Sequence, residues 1–313
     1  MNFKLSFIAK IVISVLLLLY IVHGANLNEI IVSIESAKFS ILFLAFLLHF
    51  VGLLLSSIRW QVLLKAQNVK SKLNFLFQSY LVATFFNHFL PSTVGGDSVR
   101  TFDSWKLGEN KENAFAVVIL DRFLGLLMLL LFALISIIFS PDIENVIPGI
   151  YFWMLILVAG ATAIIWFILA PPLSFFKRLA DKDGLVGKIA TVINKIDIAF
   201  SRFSNKKKSL AIAFSLSFIL QLNVVLFYYC ISVALNLNVE FIDYFLIVPL
   251  TIFITMIPIS FNGIGLRENA LYLFLSPFGV LLSQAIAFAW IEYGMLLILG
   301  IIGGIVNILR KNK

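Results

Sequence analysis

The sequence predicts an all-α polytopic membrane protein with about six full spans and two re-entrant hairpins. Of the 313 residues, 61% are apolar and only 13% are charged, whereas soluble domains have about a quarter of their residues charged. Apolar runs long enough to cross a bilayer recur along the chain. Two segments interrupted by proline and glycine lie between these runs and match each other in spacing. A single integral membrane domain, residues 1–313, follows from these observations.

The predicted full spans are apolar runs of about 18 or more residues. They cover residues 5–22, 39–58, 114–139, 150–170, 210–235 and 280–309. The first run is followed by His23 without a clear small-residue cleavage site, so we predict a retained helix rather than a signal peptide. The single cysteine, Cys230, lies inside a span, which excludes a disulfide framework and a cysteine-rich metal site. We predict no metal ion and no other cofactor.

One short motif occurs twice, around Pro91 and around Pro258. Counted from the proline, each copy has Thr seven residues before, Phe five before, Gly five after and Arg nine after. Such a duplication indicates two structural halves, at about residues 73–139 and 244–309. Proline and glycine interruptions at matching positions of two membrane halves are typical of a binding site built from broken helices.

The distribution of basic residues predicts the orientation in the membrane. Lysine and arginine cluster at residues 4–10, 59–72, 171–209 and 310–313. The positive-inside rule assigns these segments, and with them both termini, to the cytoplasm. If residues 73–90 and 244–257 each crossed fully, the 171–209 segment would lie on the wrong side. Re-entrant hairpins, the first entering from the cytoplasm and the second from outside, remove this contradiction and predict an inverted internal repeat.

The segment 171–209 combines basic charge with helical periodicity. It carries nine basic and three acidic residues. Its apolar residues, among them Leu185, Ile189, Ile196 and Phe203, follow the spacing of one helix face. We predict an amphipathic helix on the anionic inner leaflet, with a solvated connector as the alternative. The net charge of +8 is therefore a signal of topology, and no nucleic-acid partner is predicted.

The turns of the two motif copies are the predicted binding site. Pro91 and Pro258 are expected to end the entering helices, and the glycines to allow positive φ and close approach of a ligand. Helices that begin after such turns direct N–H groups and a positive dipole end at the tip, which favours an anion. Tight turns at the membrane surface are the alternative. The candidate substrate-binding residues are Asn87, Gly95, Gly96, Asp97, Arg100, Asn262, Gly263, Gly265 and Arg267.

Ionisable residues within the apolar segments form a second candidate set. Glu292 lies about 12 residues, or 18 Å, into the last span. A carboxylate at that depth is costly and normally has a partner, for which Arg267 is the nearest candidate. Asp121 corresponds to Glu292 in the first half and is expected to pair with another element, such as Arg100; the alternative is a position at the membrane interface. The charge-coupling candidates are Asp121, Arg122, Glu268 and Glu292.

Other polar residues in the spans have expected roles in packing. We predict interhelical hydrogen bonds for Gln221 and Asn223. His49 is expected to be a hydrogen-bonded packing residue rather than a ligand. His88 has a stronger claim to the site because it lies close to the first motif turn.

Several of these motifs together resemble the lysylphosphatidylglycerol synthase transmembrane-region family over nearly the whole chain. They are Arg59-Trp60, Leu90-Pro91, Gly95-Gly96-Asp97 with Arg100, Asp121-Arg122, and the run from Gly263 to Glu268. In multiple peptide resistance factor proteins, a similar region moves aminoacylated phosphatidylglycerol between leaflets, and a separate soluble domain makes that lipid. No synthase domain is recognisable in these 313 residues, so the resemblance implies lipid translocation without naming the lipid.

We therefore expect a flippase-like transporter in the cell membrane that holds an anionic or lipid-linked polar head group at the hairpin tips. The alternatives are a membrane-embedded lipid or glycolipid transferase and a non-transporting subunit of a cell-envelope lipid pathway. A transferase should carry paired acidic residues or a metal-ligand cluster on a sizeable loop, and no such pattern is recognisable, so no enzyme is predicted. The expected partners are membrane lipids, with a homo-oligomer or an envelope-biosynthesis protein as further possibilities.

Overall fold

The structure is a computed structural model that describes residues 3–89, 95–108, 110–139, 206–257 and 259–311, together with Phe203 and isolated residues between 149 and 162. The regular elements in these ranges are helices. They are α1 (Phe3–His23), α2 (Leu27–Glu35), α3 (Phe39–Ala66), α4 (Leu73–Phe89), α5 (Gly95–Lys106), α6 (Lys111–Phe139), α7 (Lys207–Ala234), α8 (Tyr244–Thr255), α9 (Leu266–Leu275) and α10 (Leu282–Lys311). Short 3₁₀ turns at Phe241–Asp243 and Ser276–Phe278 precede α8 and follow α9.

Four of these helices, α3, α6, α7 and α10, are long and apolar enough to cross a bilayer. Residues Lys10–His23 of α1 meet α2 at an angle of 87°. Together the two helices are long and apolar enough for one more span, which gives up to five candidate spans. The multi-pass, all-helical architecture is thus confirmed for the described residues. Most of the predicted span 150–170 lies outside them, so the count of six spans stays a prediction.

The outer surface of the bundle is apolar. Leu16, Phe39, Leu273 and Leu309 each expose more than half of their surface. A contiguous apolar surface of this kind is unfavourable in water, whereas hydrocarbon solvates it without cost. The exposed leucines and phenylalanines therefore indicate the lipid-facing side of each helix.

Helices α3 and α7 pack antiparallel and define the axis of the bundle. The Asn223 side-chain amide donates to the Leu48 carbonyl at 2.9 Å, which confirms one of the predicted interhelical hydrogen bonds. Further along, the Arg59 guanidinium donates to the Ser217 hydroxyl at 2.8 Å. In these contacting pairs the residue number rises along α3 and falls along α7, so the end of α3 lies beside the start of α7.

We call this end of the bundle, where α3 and α5 end and α4, α6 and α7 begin, the basic end. It is packed by an apolar cluster that includes Trp60, Leu64, Leu76 and Phe203. Phe203 is fully enclosed there, with 2% of its surface exposed. The rest of the segment 171–205 lies outside the described residues, and its surface helix stays a prediction.

Each motif copy forms two short helices that pack against each other, followed by one long helix. The first hairpin consists of α4 and α5, with 17 and 12 residues, and leads into the 29-residue α6. The second hairpin consists of α8 and α9, with 12 and 10 residues, and leads to the 30-residue α10. Pro91 and Pro258 fall outside the described residues, so their role in ending helices stays a prediction.

The two hairpins begin at opposite ends of the bundle. Leu76, near the start of α4, belongs to the apolar cluster of the basic end. Tyr244, the first residue of α8, instead has its ring centroid 5.9 Å from that of Tyr229, near the far end of α7. The symmetry of a full inverted repeat, over residues 73–139 and 244–309, stays a prediction.

Glycines of α10 hold the first hairpin in place. A Cβ atom added to Gly303 would collide with the backbone of Leu81, and one added to Gly304 would lie 2.9 Å from the Phe85 ring. Only glycine at these positions lets α4 and α10 approach so closely. Leu81 contacts Gly303, and later residues of α4 contact earlier residues of α10. The tip of the first hairpin therefore lies at the middle of α10.

Candidate functional site

The tips of the two hairpins come together at Tyr293, near the middle of α10. His88, in the last turn of α4, has its ring centroid 5.7 Å from that of Tyr293. The guanidinium carbon of Arg267, in the first turn of α9, lies 5.3 Å from the centroid of the same Tyr293 ring. One aromatic side chain thus contacts residues from both tips.

The second hairpin brings Arg267 close to Glu292. Arg267 Nε lies 3.6 Å from Glu292 Oε1, and the Tyr228 hydroxyl donates to the same oxygen at 2.9 Å. The other oxygen, Oε2, is buried and accepts no hydrogen bond from the described residues. The structure therefore places Glu292 beside Arg267, as the sequence predicts, but at a distance beyond a direct hydrogen bond.

A cavity of about 360 Å³ opens beside this pair. Across the described residues, no group of three or more His, Cys, Asp or Glu side chains could hold a metal ion. The polar residues that line the cavity are His49, Ser56, Gln221, Asn223, Tyr228, Thr255, Arg267 and Glu292. The ring of His49 packs 5.2 Å from that of Phe227, whereas the predicted hydrogen bond is not seen among the described residues. His49 also lines the cavity, which was not predicted.

The turn of the second hairpin has left-handed backbone at three positions. The φ angles of Asn262, Gly263 and Gly265 are 50°, 76° and 80°. At Gly265 a Cβ would lie 2.5 Å from Leu17 Cβ, so glycine there allows the turn to pack against α1. Glu268 accepts a hydrogen bond from the Gly265 N–H at 2.8 Å. Its carboxylate therefore caps the start of α9.

The first hairpin turns differently from the expectation. The prediction of positive φ at Gly95 and Gly96 is wrong, because both residues are in the first turn of α5. A Cβ on Gly96 would lie 2.6 Å from the Ala83 carbonyl oxygen and 2.7 Å from Asn87 Oδ1. Asn87 accepts a hydrogen bond from the Gly96 N–H at 2.7 Å. This glycine allows α4 and α5 to approach each other, and Asn87 satisfies a free N–H of α5.

Asp121 is the centre of a buried ionic cluster next to the first hairpin. Its Oδ1 pairs with Arg59 Nε at 2.6 Å, and its Oδ2 pairs with Arg100 Nη2 at 2.7 Å. The Tyr80 hydroxyl donates to Oδ2 at 2.8 Å. With 1% of its surface exposed, Asp121 is enclosed by the bundle, and the pairing with Arg100 is the one that the sequence predicts.

Two further contacts close the cluster around Arg100. Its guanidinium carbon lies 4.2 Å from the Tyr80 ring centroid and 4.8 Å from that of Trp60. Asp97 Oδ1 is 3.6 Å from Arg100 Nη1, and Asp97 also forms an ion pair with Arg122. We call Arg59, Asp97, Arg100, Asp121 and Arg122 the first ionic cluster. It has a formal charge of +1, from three arginines and two aspartates.

Sequence reasoning did not assign Arg59 and Ser217 to the site. Arg59 was used only in the basic segment 59–72 and in the family resemblance, because a basic residue at the end of an apolar run normally lies at the membrane interface. Ser217 carries no signal in sequence, since a serine in a membrane helix usually bonds to its own backbone. Ser217 does donate to the Ala213 carbonyl, and Arg59 is its second partner.

A polar stripe on α7 connects the first ionic cluster with the cavity. Ser217, Gln221 and Tyr228 are four and seven residues apart and so share one helix face. Ser217 contacts Arg59, and Tyr228 contacts Glu292. Gln221 donates to a backbone carbonyl of α6 at 3.2 Å, which confirms the second predicted interhelical hydrogen bond. The stripe extends about 16 Å along the helix axis.

Comparison with known proteins agrees with this architecture. The chain is 24% identical to a UPF0104 membrane protein of Pyrococcus horikoshii over 286 residues, which is 84% of this chain and 85% of that protein. It is also 24% identical to a UPF0104 membrane protein of Methanothermobacter thermautotrophicus over 269 residues, 80% of this chain and 79% of the other. Residues 7–304 match the family described as the lysylphosphatidylglycerol synthase TM region. The chain belongs to this family.

Proposed function

We propose that this protein is a lipid translocase that moves an anionic or lipid-linked polar head group across the cell membrane. The main support is the meeting of both hairpin tips at Tyr293, beside a cavity whose lining includes Arg267 and Glu292. Charged groups inside a membrane protein are costly and mark pathways for polar substrates. The acyl chains of the lipid would stay in the surrounding hydrocarbon while the head group passes the tips.

Arg267 is the proposed ligand of the lipid phosphate. Its guanidinium offers a planar fork of donors that matches phosphate oxygens and stays charged when buried. The 3.6 Å separation from Glu292 is longer than the roughly 2.7–2.9 Å of a charge-assisted hydrogen bond. A phosphate can therefore replace Glu292 as the nearest anion without breaking a short ion pair.

Arg100 has a different position in the proposal. Both Arg100 and Arg267 are candidate substrate-binding residues by sequence, but Arg100 already has Asp121 at 2.7 Å and two aromatic rings around it. A phosphate at Arg100 would require this network to open. We therefore assign first contact with the head group to Arg267 and any contact with Arg100 to a later step.

The opposite entry of the two hairpins supports alternating access. In transporters with inverted repeats, each half can open the central site to one side of the membrane. Under this proposal both termini and the basic end face the cytoplasm, in keeping with the positive-inside rule. The first hairpin then enters from the cytoplasm and the second from the outside.

Transport in reconstituted liposomes tests the proposal. A fluorescent anionic phospholipid is placed in both leaflets with the purified protein, and an impermeant quencher reports the rate at which inner-leaflet label becomes accessible. Wild type should accelerate this rate, Arg267→Lys should slow it, and Arg267→Ala should return it to that of protein-free liposomes. The matched control is Lys65→Ala, which removes an exposed basic residue of α3. Wild-type rates in Arg267→Ala would refute the assignment.

A further inference from the structure

A second, larger groove lies on the outside of the first hairpin, away from the cavity at the tips. Its volume is about 890 Å³, and its walls are α4, α5 and the last turns of α10. No residue of this groove belongs to the cavity that contains Arg267 and Glu292. A ligand of the groove therefore need not contact Arg267 or Glu292, although the groove extends to Gly95 at the start of α5.

The α4 wall of the groove is apolar over a length that matches one lipid leaflet. Phe75, Val82 and Phe86 line the groove and, seven and four residues apart, share one face of α4. From Phe75 to Phe86 the helix rises about 16 Å. The hydrocarbon core of a bilayer is about 30 Å thick, so the wall extends across roughly half of it.

The same groove becomes basic at the end where α4 begins. Arg310 lies over the Phe75 ring with 4.6 Å between guanidinium carbon and centroid, and Lys106 lies 4.7 Å from the Phe102 centroid. Arg310 pairs with Asp103 at 2.9 Å, whereas Lys106 has no carboxylate within ion-pair distance among the described residues. Lys106, Arg310 and Asp103 together leave a formal charge of +1.

We propose that this groove binds one anionic phospholipid from the leaflet at the basic end. The lipid phosphate lies between Lys106 and Arg310, and one acyl chain lies along Phe75, Val82 and Phe86. A positive site at the mouth of an apolar groove of single-leaflet length complements such a lipid in both charge and shape. This site does not depend on translocation and would be occupied in a protein that transports nothing.

Photo-crosslinking in lipid nanodiscs tests the proposal. The nanodiscs contain phosphatidylglycerol or phosphatidylcholine, each with a trace of the same lipid carrying a diazirine in its acyl chain, and mass spectrometry locates the adducts. We expect adducts of phosphatidylglycerol to concentrate on α4 and α5 at the groove. Adducts spread evenly over the outer helices, or equal labelling by both lipids, would show only annular lipid and overturn the proposal.

Two variants test the contributions of charge and of shape to lipid binding in the groove. Lys106→Gln removes one positive charge, and because each basic residue near the surface contributes on the order of 1 kcal/mol to binding of anionic lipid, we expect about fivefold weaker labelling by phosphatidylglycerol. Val99→Phe narrows the groove without a change of charge and should reduce labelling by both lipids. Lys65→Gln, an exposed lysine of the same bundle end outside the groove, is the control. Unchanged labelling in both groove variants would refute the site.

Discussion

Arg100 and Arg267 occupy the same position in the repeated motif, nine residues after the proline, yet the two halves of the protein surround them differently. Arg100 is held by a short ion pair, a second aspartate and two aromatic rings. Arg267 has Glu292 at 3.6 Å and faces a cavity. The motif therefore determines the position of each arginine in its hairpin, and residues of other helices determine which anions and rings surround it.

The difference arises in α3 and α4. Arg59 supplies a second cation to Asp121, and Tyr80 supplies a hydroxyl, so both carboxylate oxygens have short partners. In the second half, Tyr228 is the one described residue that donates a hydrogen bond to Glu292, and the other oxygen of Glu292 accepts none from the same part of the chain. Both carboxylate oxygens of Asp121 thus have short partners, whereas Glu292 has one oxygen without a hydrogen bond from the described residues.

The largest expected effect is the loss of Asp121. Asp121→Asn removes the shared anion and leaves Arg59 and Arg100 facing each other in the bundle. Because breaking a buried ion pair on one side costs about 3–5 kcal/mol, we expect a loss of that size in unfolding free energy. Thermal and denaturant unfolding of the detergent-solubilised protein measures it, with the exposed Glu240→Gln as control. A loss under about 1 kcal/mol, the size of a surface pair, would mean that the ion pairs of Asp121 contribute no more than exposed ones.

A second test asks whether the first hairpin is fixed against α10. Gly303→Ala would place a methyl group into the backbone of Leu81, and overpacking of this kind costs about 1–3 kcal/mol. Gly294→Ala, on the same helix, would meet no atom within 4 Å and should be neutral or stabilising because alanine favours helix. Equal unfolding temperatures for the two variants would show that the seam between α4 and α10 can relax.

The third test concerns the coupling between Arg267 and Glu292. Arg267→Ala leaves a buried carboxylate without its cation, and Glu292→Gln leaves the reverse, so the double variant should lose less stability than the two single losses added together. We expect a coupling of about 1 kcal/mol, within the range of neighbouring residues. A double-mutant cycle by denaturant unfolding measures it. Additivity within about 0.5 kcal/mol would mean that Glu292 has another partner or acts alone.

The smallest expected effect on stability belongs to the test of orientation. In a protein with Cys230→Ser, a cysteine at exposed Glu240 should react with an impermeant maleimide added outside intact cells. A cysteine at exposed Lys70 should react only after the membrane is opened. Neither exchange should change the unfolding temperature by more than a surface substitution does. Reaction of Lys70→Cys from outside would reverse the entry directions of the two hairpins.

The class of fold could be predicted from the sequence, because the membrane as solvent dictates the composition and the length of the apolar segments. Neither property depends on the details of packing. The pairing of Glu292 with Arg267 and of Asp121 with Arg100 could also be predicted, since a buried charge in a membrane helix requires a partner. These predictions used only the depth and sign of each charge.

Other parts of the site could not be read from the chain. The pairing of both Asp121 oxygens depends on Arg59, which is 62 residues away in sequence. It also depends on how the helices pack, which hydrophobic periodicity does not predict. The prediction of a positive φ at Gly96 was wrong. A glycine can be required either by a positive φ or by the close approach of two helices, and the sequence does not distinguish the two. The meeting of both tips at Tyr293 is likewise a property of tertiary packing.

The meeting of the tips at one ring of α10 has an electrical consequence. Under the proposed translocation, a charged head group that passes Tyr293 on its way between the leaflets also moves through the membrane potential. Each elementary charge carried across the full potential gains or loses about 2.3 kcal/mol per 100 mV. A cell interior that is negative would then favour outward movement of an anionic lipid and leave a zwitterionic lipid unaffected. The membrane potential alone would in that case set the direction of net transport of an anionic lipid.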